Sequence, residues 1–373
     1  MASITIAGDM APMGRNVPIF QSRAFRDLTE LGLSSTDDFM IANLECVLSD
    51  AGAAIMKQGP NLRAPAGTAG GLRQFGVSAV NLANNHIMDY GVTGLNATTE
   101  CLDREGITWF GAGGNSSEAV RPFSFNAGNS PCKVFGFAES EFSVSTDTQA
   151  GASPFDTAAL VRALKGVSPG SFVIVLLHAG NEHYEFPNPW LRDRCRLAVE
   201  LGASVVVCQH SHCIGCYEYY AGGVIVYGQG NFVFDSDSLR KSWWLGLLVR
   251  LNVEGGVFRK VEFLPFRQDP GQSIITPLSF PDKDILLASF EERSNILMNE
   301  DAYRSKWDEF CEKNRREYES LLFGFGRFAR RANRLVGLSG FVSRRGKVGI
   351  GNALRCQSHL EALRQLYSQE KTC

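Results

Sequence analysis

The 373-residue chain contains no run of about 18 uncharged apolar residues, so no transmembrane helix is expected. Its first residues, MASITIAGDMAPMG, carry neither a basic segment nor a long apolar stretch. No signal peptide is expected, and the sequence reads as cytoplasmic. Ten cysteines lack the spacing of a disulfide framework. In a reducing compartment most serve as small buried apolar residues. Cys213 and Cys216 form a Cys-x-x-Cys, but a zinc ribbon needs a second pair at that spacing and none exists. No internal repeat or low-complexity segment is present. Net charge is nearly absent, at −2, but it is unevenly spread. Residues 1–300 carry 22 Lys+Arg against 31 Asp+Glu, and residues 301–373 carry 15 against 8. The asymmetry points to a basic interaction surface near the C-terminus. The acidic first part, with no visible basic groove, ranks a nucleic-acid enzyme lowest.

What is present is ordinary globular material, with 44% hydrophobic and 20% charged residues. Apolar, β-branched runs at 3–7, 39–44, 77–83, 133–139, 171–180, 204–212, 222–234 and 243–253 read as strands. Helical spacing at 93–106, 156–167 and 189–203 separates them. Strand–helix alternation predicts an α/β domain around a buried sheet, with antiparallel pairing near its end, where strands follow through short turns. The stretch RQDPGQSIITPLSFPD (267–282) reads as a linker. The expected division is therefore an α/β domain at 1–268, a linker at 269–283 and a helical basic region at 284–373. Residues 324–351 hold seven Lys+Arg and no acid. They read as a solvated helical subdomain or as a basic amphipathic segment. The latter would make peripheral contact with the inner membrane face or an anionic polymer.

Histidine is scarce, and five of the six fall at 86, 178–183 and 210–212. The strands end in chemistry. The first ends at Gly8–Asp9, the second at Asn43–Leu44–Glu45 and the third at Asn84–Asn85–His86. The later two end at His178 and at Gln209–His210–Ser211–His212. One Gly-Asp after a strand is usually a turn, and one strand-end histidine is usually a core residue. Five strands ending this way point elsewhere, because ligands of α/β sheets gather beyond the carboxyl ends of the strands. Carboxylate, amide and imidazole together suit Mn, Fe, Zn or Mg. In KQGPNLRAP (57–65), Lys57 and Arg63 are candidates to hold an anionic substrate group, against the alternative of a surface loop. Asn231, in GQGNF, either faces the site or caps a turn.

The order Gly-Asp, Asn-x-Glu, Asn-Asn-His, His, His-x-His resembles the calcineurin-like metallophosphoesterases. It is more closely similar to the capsule-synthesis protein family of the CapA or poly-γ-glutamate synthesis type. That likeness lies at GDMAPMGR (8–15), ANLECVLSD (42–50), NLANNHIMDYG (81–91), HAGNEHYEFPNP (178–189), QHSH (209–212) and VYGQGNFVFD (226–235), within about 3–265. The resemblance implies a four-layered α/β/β/α metallophosphatase-like sandwich with a helical basic extension, and one or two divalent metal ions. It places Asp9 and His212 at the first metal, Glu45 between the two, and Asn85, His178 and His210 at the second. It makes His86 a proton donor to the leaving oxygen, and Asp89 can orient it. Ala11 stands where phosphoesterases usually carry a histidine, so the first site is short of a ligand. Ala179, Cys208–Gln209 and Ser211 also depart from the capsule family's usual residues, which bears on substrate preference. The implied function is a metal-dependent hydrolase, a phosphoesterase, in capsule, poly-γ-glutamate or exopolysaccharide biosynthesis. Its substrate would be a phosphoester or an anionic polymer. The alternative is a non-hydrolytic, metal-containing component that binds polymer within a capsule synthesis or export complex.

Overall fold

The β-branched and aromatic runs fold as strands, which pack well on a pleated surface. In the computed structural model the described residues are 2–23, 38–57, 59–254, 257–271, 274–322 and 327–337. The strands begin with β1 (Ala2–Ala11), β2 (Asp38–Leu44), a small pair β3 (Val47–Leu48) and β4 (Arg63–Ala64), β5 (Val77–Asn81) and β6 (Thr108–Phe110). Next come β7 (Ala112–Gly113), β8 (Phe123–Ala127), β9 (Ser130–Ala138), β10 (Gly151–Ala152), β11 (Phe172–His178) and β12 (Val205–Gln209). The last are β13 (Tyr217–Tyr220), β14 (Gly223–Tyr227), β15 (Asn231–Phe234), β16 (Leu245–Glu254), β17 (Val257–Asp269) and β18 (Ile274–Pro277). The helices are α1 (Val17–Ser22), α2 (Ala69–Gln74), α3 (Gly91–Arg104), α4 (Ser116–Ala119), α5 (Thr157–Lys165), α6 (Pro189–Glu200), α7 (Phe280–Met298), α8 (Glu300–Leu322) and α9 (Arg327–Val336).

Two large sheets result. The first has the order β18-β17-β16-β1-β2-β5-β6, with β15 also paired to β1. Its β1, β2, β5, β6 and β15 run parallel, and β16 to β18 are the expected antiparallel addition. The second has the order β13-β14-β12-β11-β9-β8, parallel at its centre and antiparallel at both edges. Ile4, Ile6, Ile41 and Val249 of the first sheet meet Ile174, Leu176, Val205 and Val224 of the second in one inter-sheet core. Leu72, Phe75, Leu95 and Leu102 of α2 and α3 cover the other face of the first sheet. On the second sheet α6 packs against β12 and β14, with α5 beside it. These are the four layers expected, α/β/β/α. They explain why β11 and β12 are buried at every position rather than alternately.

The domain division differs from the expected one. The contacts separate Met1–Tyr303 from Arg304–Cys373. The stretch read as a linker contains β18, which pairs with β17 and buries Ile274 and Ile275. Helix α7 sends Phe290 into the inter-sheet core. Ile274 and Ile275 lie among Pro, Gly and Ser residues, which gives the stretch the composition of a linker. In the second unit, Asn333 Nδ2 donates to Arg316 O and Arg316 Nη1 donates to Arg334 O, both at 2.8 Å, tying α9 to α8. Of the basic stretch 324–351, only 327–337 falls within the described residues. No helix among the described residues is long and apolar enough to cross a membrane.

Candidate metal centre

Asp9 stands near the end of β1, where the β1–β15 register shifts between Asp9 and Met10. A Cβ on Gly8 would lie 2.1 Å from Gly230 O, so only glycine lets the two strands approach at this point. Glu45 follows β2, its N–H donating to Met10 O at 2.8 Å. Asn84, Asn85 and His86 follow β5. Asn84 braces the turn, with Nδ2 donating to Leu44 O (2.8 Å) and Oδ1 accepting from the His86 N–H (3.1 Å). That leaves Asn85 and His86 for the centre. His178 ends β11. His210 and His212 follow β12 with φ of 90° and 52°, a left-handed backbone rarely held by non-glycine residues. Such strain clusters at functional sites.

These residues form two triads that share Glu45. Ligand atoms of Asp9, Glu45 and His212 lie within 4.8 Å of one another, and so do those of Glu45, His178 and His210. Glu45 Oε1 is 3.3 Å from His178 Nε2 and 3.9 Å from His212 Nε2. Asn85 Oδ1 is 3.0 Å from His178 Nε2. Asp9 is locked in place: Oδ1 accepts from Asn43 Nδ2 (2.8 Å) and Oδ2 from the His210 N–H (3.0 Å). Asn231 Oδ1 lies 2.8 Å from His212 Nδ1, and Asn43 Nδ2 lies 3.1 Å from His178 Nδ1. The Trp243 ring packs on His212 at 4.8 Å between centroids. His86 reaches in from the side, with Nε2 3.9 Å from Glu45 Oε1. Its Nδ1 is 2.7 Å from Asp89 Oδ2, an oxygen that also accepts from the Leu62 N–H. The buried Lys57 ammonium pairs with Asp89 and lies 3.0 Å from His86 Nδ1.

The electrostatics favour a cation. Glu45 is wholly buried and neither of its oxygens has a hydrogen-bond partner. Burial first, and the Asp9 charge second, push its carboxyl well above the ordinary range. Burial lowers His178, and lowers His210 strongly, which favours the neutral imidazole that binds metal, while at His86 burial also lowers the value against the Asp89 hydrogen bond and charge, which favour the protonated ring. At His212 burial also lowers the value, but the charges of Glu45, Asp9 and Glu182 and the Asn231 hydrogen bond raise it, and the net shift is upward. An ionised carboxylate without a partner is costly inside a protein. A divalent ion beside Glu45 would remove that cost, and the carboxylate, imidazole and amide donors suit a borderline to hard one. The residues therefore fit such an ion. Ala11, the last residue of β1, is fully buried and adds only a methyl, so the first triad gains no fourth protein donor there.

Asp9, Glu45, Asn85, His86, His178, His210 and His212 thus come together, with Asp89 behind His86. Three sequence candidates fare differently. Lys57 is at the centre but is committed to Asp89 and His86 rather than open to substrate. Arg63 is exposed and its guanidinium lies over the Tyr90 ring at 4.5 Å, so its place is a surface stack. Asn231 spends its amide on His212 and on Trp243 O, which makes it a brace for His212. Sequence reasoning placed Asn43 at the polar end of the second strand but missed its role beside Asp9 and His178. It also missed Trp243 and Glu141, whose places depend on loops that carry no pattern. Cys213 and Cys216 are buried free thiols, Cys213 pushed up to about 12 by burial, and they remain protonated as expected.

The sequence pattern of the family described as "Bacterial capsule synthesis protein PGA_cap" matches residues 3–236. The chain belongs to that family. Among curated relatives it is 28% identical over 246 residues to the capsule biosynthesis protein CapA of Bacillus anthracis, covering 62% of this chain and 60% of that protein. It is 31% identical over 169 residues to the PGA biosynthesis protein CapA of Bacillus subtilis, covering 44% of each. The chain thus spans about half the length of the curated relatives it matches. Among solved structures, a novel phosphatase from Mycoplasma pneumoniae is 14% identical with a TM-score of 0.47, covering 73% of this chain and 95% of that one. A calcineurin-like phosphoesterase from Bacillus subtilis is 12% identical with a TM-score of 0.42, covering 82% and 98%.

Proposed function

We propose that this capsule-synthesis family member is a metal-dependent phosphoester hydrolase serving capsule, poly-γ-glutamate or exopolysaccharide synthesis. The observation that carries the reading is Glu45, buried, unpartnered and common to both triads. Divalent ions held there would supply Lewis acidity and a water of lowered pKa. The rest falls to the chain. Asp9 and His212 would hold one ion and Asn85, His178 and His210 the other, with Glu45 a member of both groups. Asn43 and the His210 N–H keep the Asp9 oxygens from rotating. His86 gives a proton to the departing oxygen through Nε2, because Nδ1 is held on Asp89. Lys57 balances the Asp89 charge behind it.

The test is metal content by mass spectrometry on protein purified without chelators, beside Asp9→Ala and His210→Ala, with hydrolysis of bis(p-nitrophenyl) phosphate. Near two ions per chain, lost in the variants, is expected. Chelation should abolish hydrolysis, and His86→Ala should cost about 100-fold or more. Protein without metal, or activity indifferent to His86, would sink the reading.

Ala11 favours a second reading, in which a first triad short of a donor serves a non-hydrolytic component that binds anionic polymer in a capsule-synthesis complex. About one ion per chain and no turnover would support it. We further propose that the basic C-terminal region docks on an anionic membrane or polymer surface. The support is that α9 leaves Phe328 and Leu335, seven residues apart and so on one face, exposed near Arg331 and Arg334.

A further inference from the structure

His178 and His212 each have one ring nitrogen towards Glu45 and the other attended by an asparagine. His178 turns Nε2 to Glu45 and Asn85, and Asn43 sits on its Nδ1. His212 turns Nε2 to Glu45, and Asn231 holds its Nδ1. His210 is reversed. Its Nδ1 is buried and has no partner, and its Nε2 lies 3.7 Å from Glu141 Oε1. The other Glu141 oxygen, Oε2, accepts from Asn85 Nδ2 at 3.2 Å. That contact fixes which end of the Asn85 amide faces His178. Two tethers hold the segment that carries Glu141 over the site. At its start the Glu139 N–H donates to His178 O at 3.0 Å. At its end Ser143 Oγ donates to Asn84 O at 2.5 Å. Glu141 keeps 35% of its side chain exposed, so as a plain surface ion pair it would contribute little. Its two oxygens nevertheless touch two separate members of the second half-site.

We propose that Glu141 is the positioning residue of the second half-site. It selects the His210 tautomer whose Nδ1 is free for a cation, and it aims the Asn85 oxygen inward. The assignment rests on the metal reading given above. A carboxylate behind a metal-binding imidazole fixes its tautomer and orientation, and its loss typically costs about 10–100-fold in metal affinity. The direct contacts of Glu141 are to His210 and Asn85, and it has none to Asp9 or His212, so its removal bears first on the Glu45–His178–His210 side.

The experiment uses the full chain, stripped of metal and titrated with Mn²⁺ by calorimetry. Wild type, Glu141→Gln and Glu141→Asp are compared, each also combined with His212→Ala so that only the second half-site remains. Glu141→Gln is expected to weaken binding at the second half-site about 10–100-fold, and Glu141→Asp to regain part of it. Binding at the Asp9–Glu45–His212 side should stay close to wild type. Histidine ¹⁵N spectra of the metal-free chains supply a readout that lost stability alone would not move. Wild type should hold His210 with Nδ1 bare, and Glu141→Gln should mix the tautomers. Unchanged Mn²⁺ affinity in the His212→Ala background overturns the assignment while leaving the metal reading intact. Weakened affinity with an unchanged tautomer also overturns it, because Glu141 would then act as a plain charge. A wild type that takes up no Mn²⁺ removes the metal reading and this assignment together.

Discussion

A carboxylate with no exposure and no hydrogen-bond donor raises the free energy of the folded chain, and Glu45 is in that position in the metal-free chain. Its carboxyl sits well above 4.5 in the fold, so the folded metal-free chain retains that proton to higher pH than the unfolded chain does. The stabilisation is complete below the unfolded value and is lost as pH rises through the folded one. Glu45→Gln should therefore raise the melting temperature of the metal-free protein at pH 8 by an amount corresponding to about 2 kcal/mol. The gain should shrink towards nothing near pH 4.5. A gain independent of pH would contradict this. The same substitution should abolish metal uptake. Lys57 and Asp89 present the complementary case, an ion pair with 2% and 0% exposure. Lys57→Met leaves the Asp89 charge buried and unbalanced, and urea unfolding should show a loss of about 3–5 kcal/mol. Adding Asp89→Asn should recover most of it, because the pair is coupled.

At the scale of elements, the centre depends on how strand ends are finished. β1 must pass close to β15 at Gly8, where a Cβ would sit 2.1 Å from a carbonyl oxygen of Gly230. Backbone cannot yield as a flexible side chain does. Gly8→Ala should therefore cost about 1–3 kcal/mol in urea unfolding. It should also lower metal content, because Asp9 moves with the strand. Normal metal content in a destabilised Gly8→Ala would show that Asp9 is held by Asn43 and His210 rather than by the strand register. Helix α6 is placed by a clearer local rule: Asn188 accepts from the Leu191 N–H at 2.8 Å and Pro189 opens the first turn. That start signal was visible in the sequence. The left-handed backbone at His210 and His212 was not, because histidine carries no signal for it.

At the scale of the molecule, the two units invite separate roles. Residues 301–373 carry 15 Lys+Arg against 8 Asp+Glu, and the candidate centre lies wholly within Met1–Tyr303. Deleting residues 304–373 should leave metal content unchanged and remove co-sedimentation with vesicles of anionic lipid. The wild-type association should weaken with salt, since exposed charges are screened. Association that survives the deletion would place the docking surface on the first unit.

Strand–helix alternation was enough to foresee an α/β domain around a buried sheet, and the residues that finish each strand a carboxylate–imidazole centre; the four layers were implied only by the family resemblance. The physical reason is local. A buried parallel strand must be apolar along its length, so its first polar residue marks its carboxyl end, and parallel strands bring those ends to one edge. Sequence could not decide what happens between residues far apart in the chain. Lys57 reads as a free cation until Asp89 is seen beneath it. Asn231 reads as a substrate-facing amide or a turn cap, and Asn43 as a polar strand end, until His212 and His178 are seen against them. Glu141, 69 residues before His210, reads as a loop acid. The segment at 274–277 reads as linker until β17 offers it a ladder. Each of these pairings is a matter of distance across the fold, and only the tertiary structure brings the partners within reach.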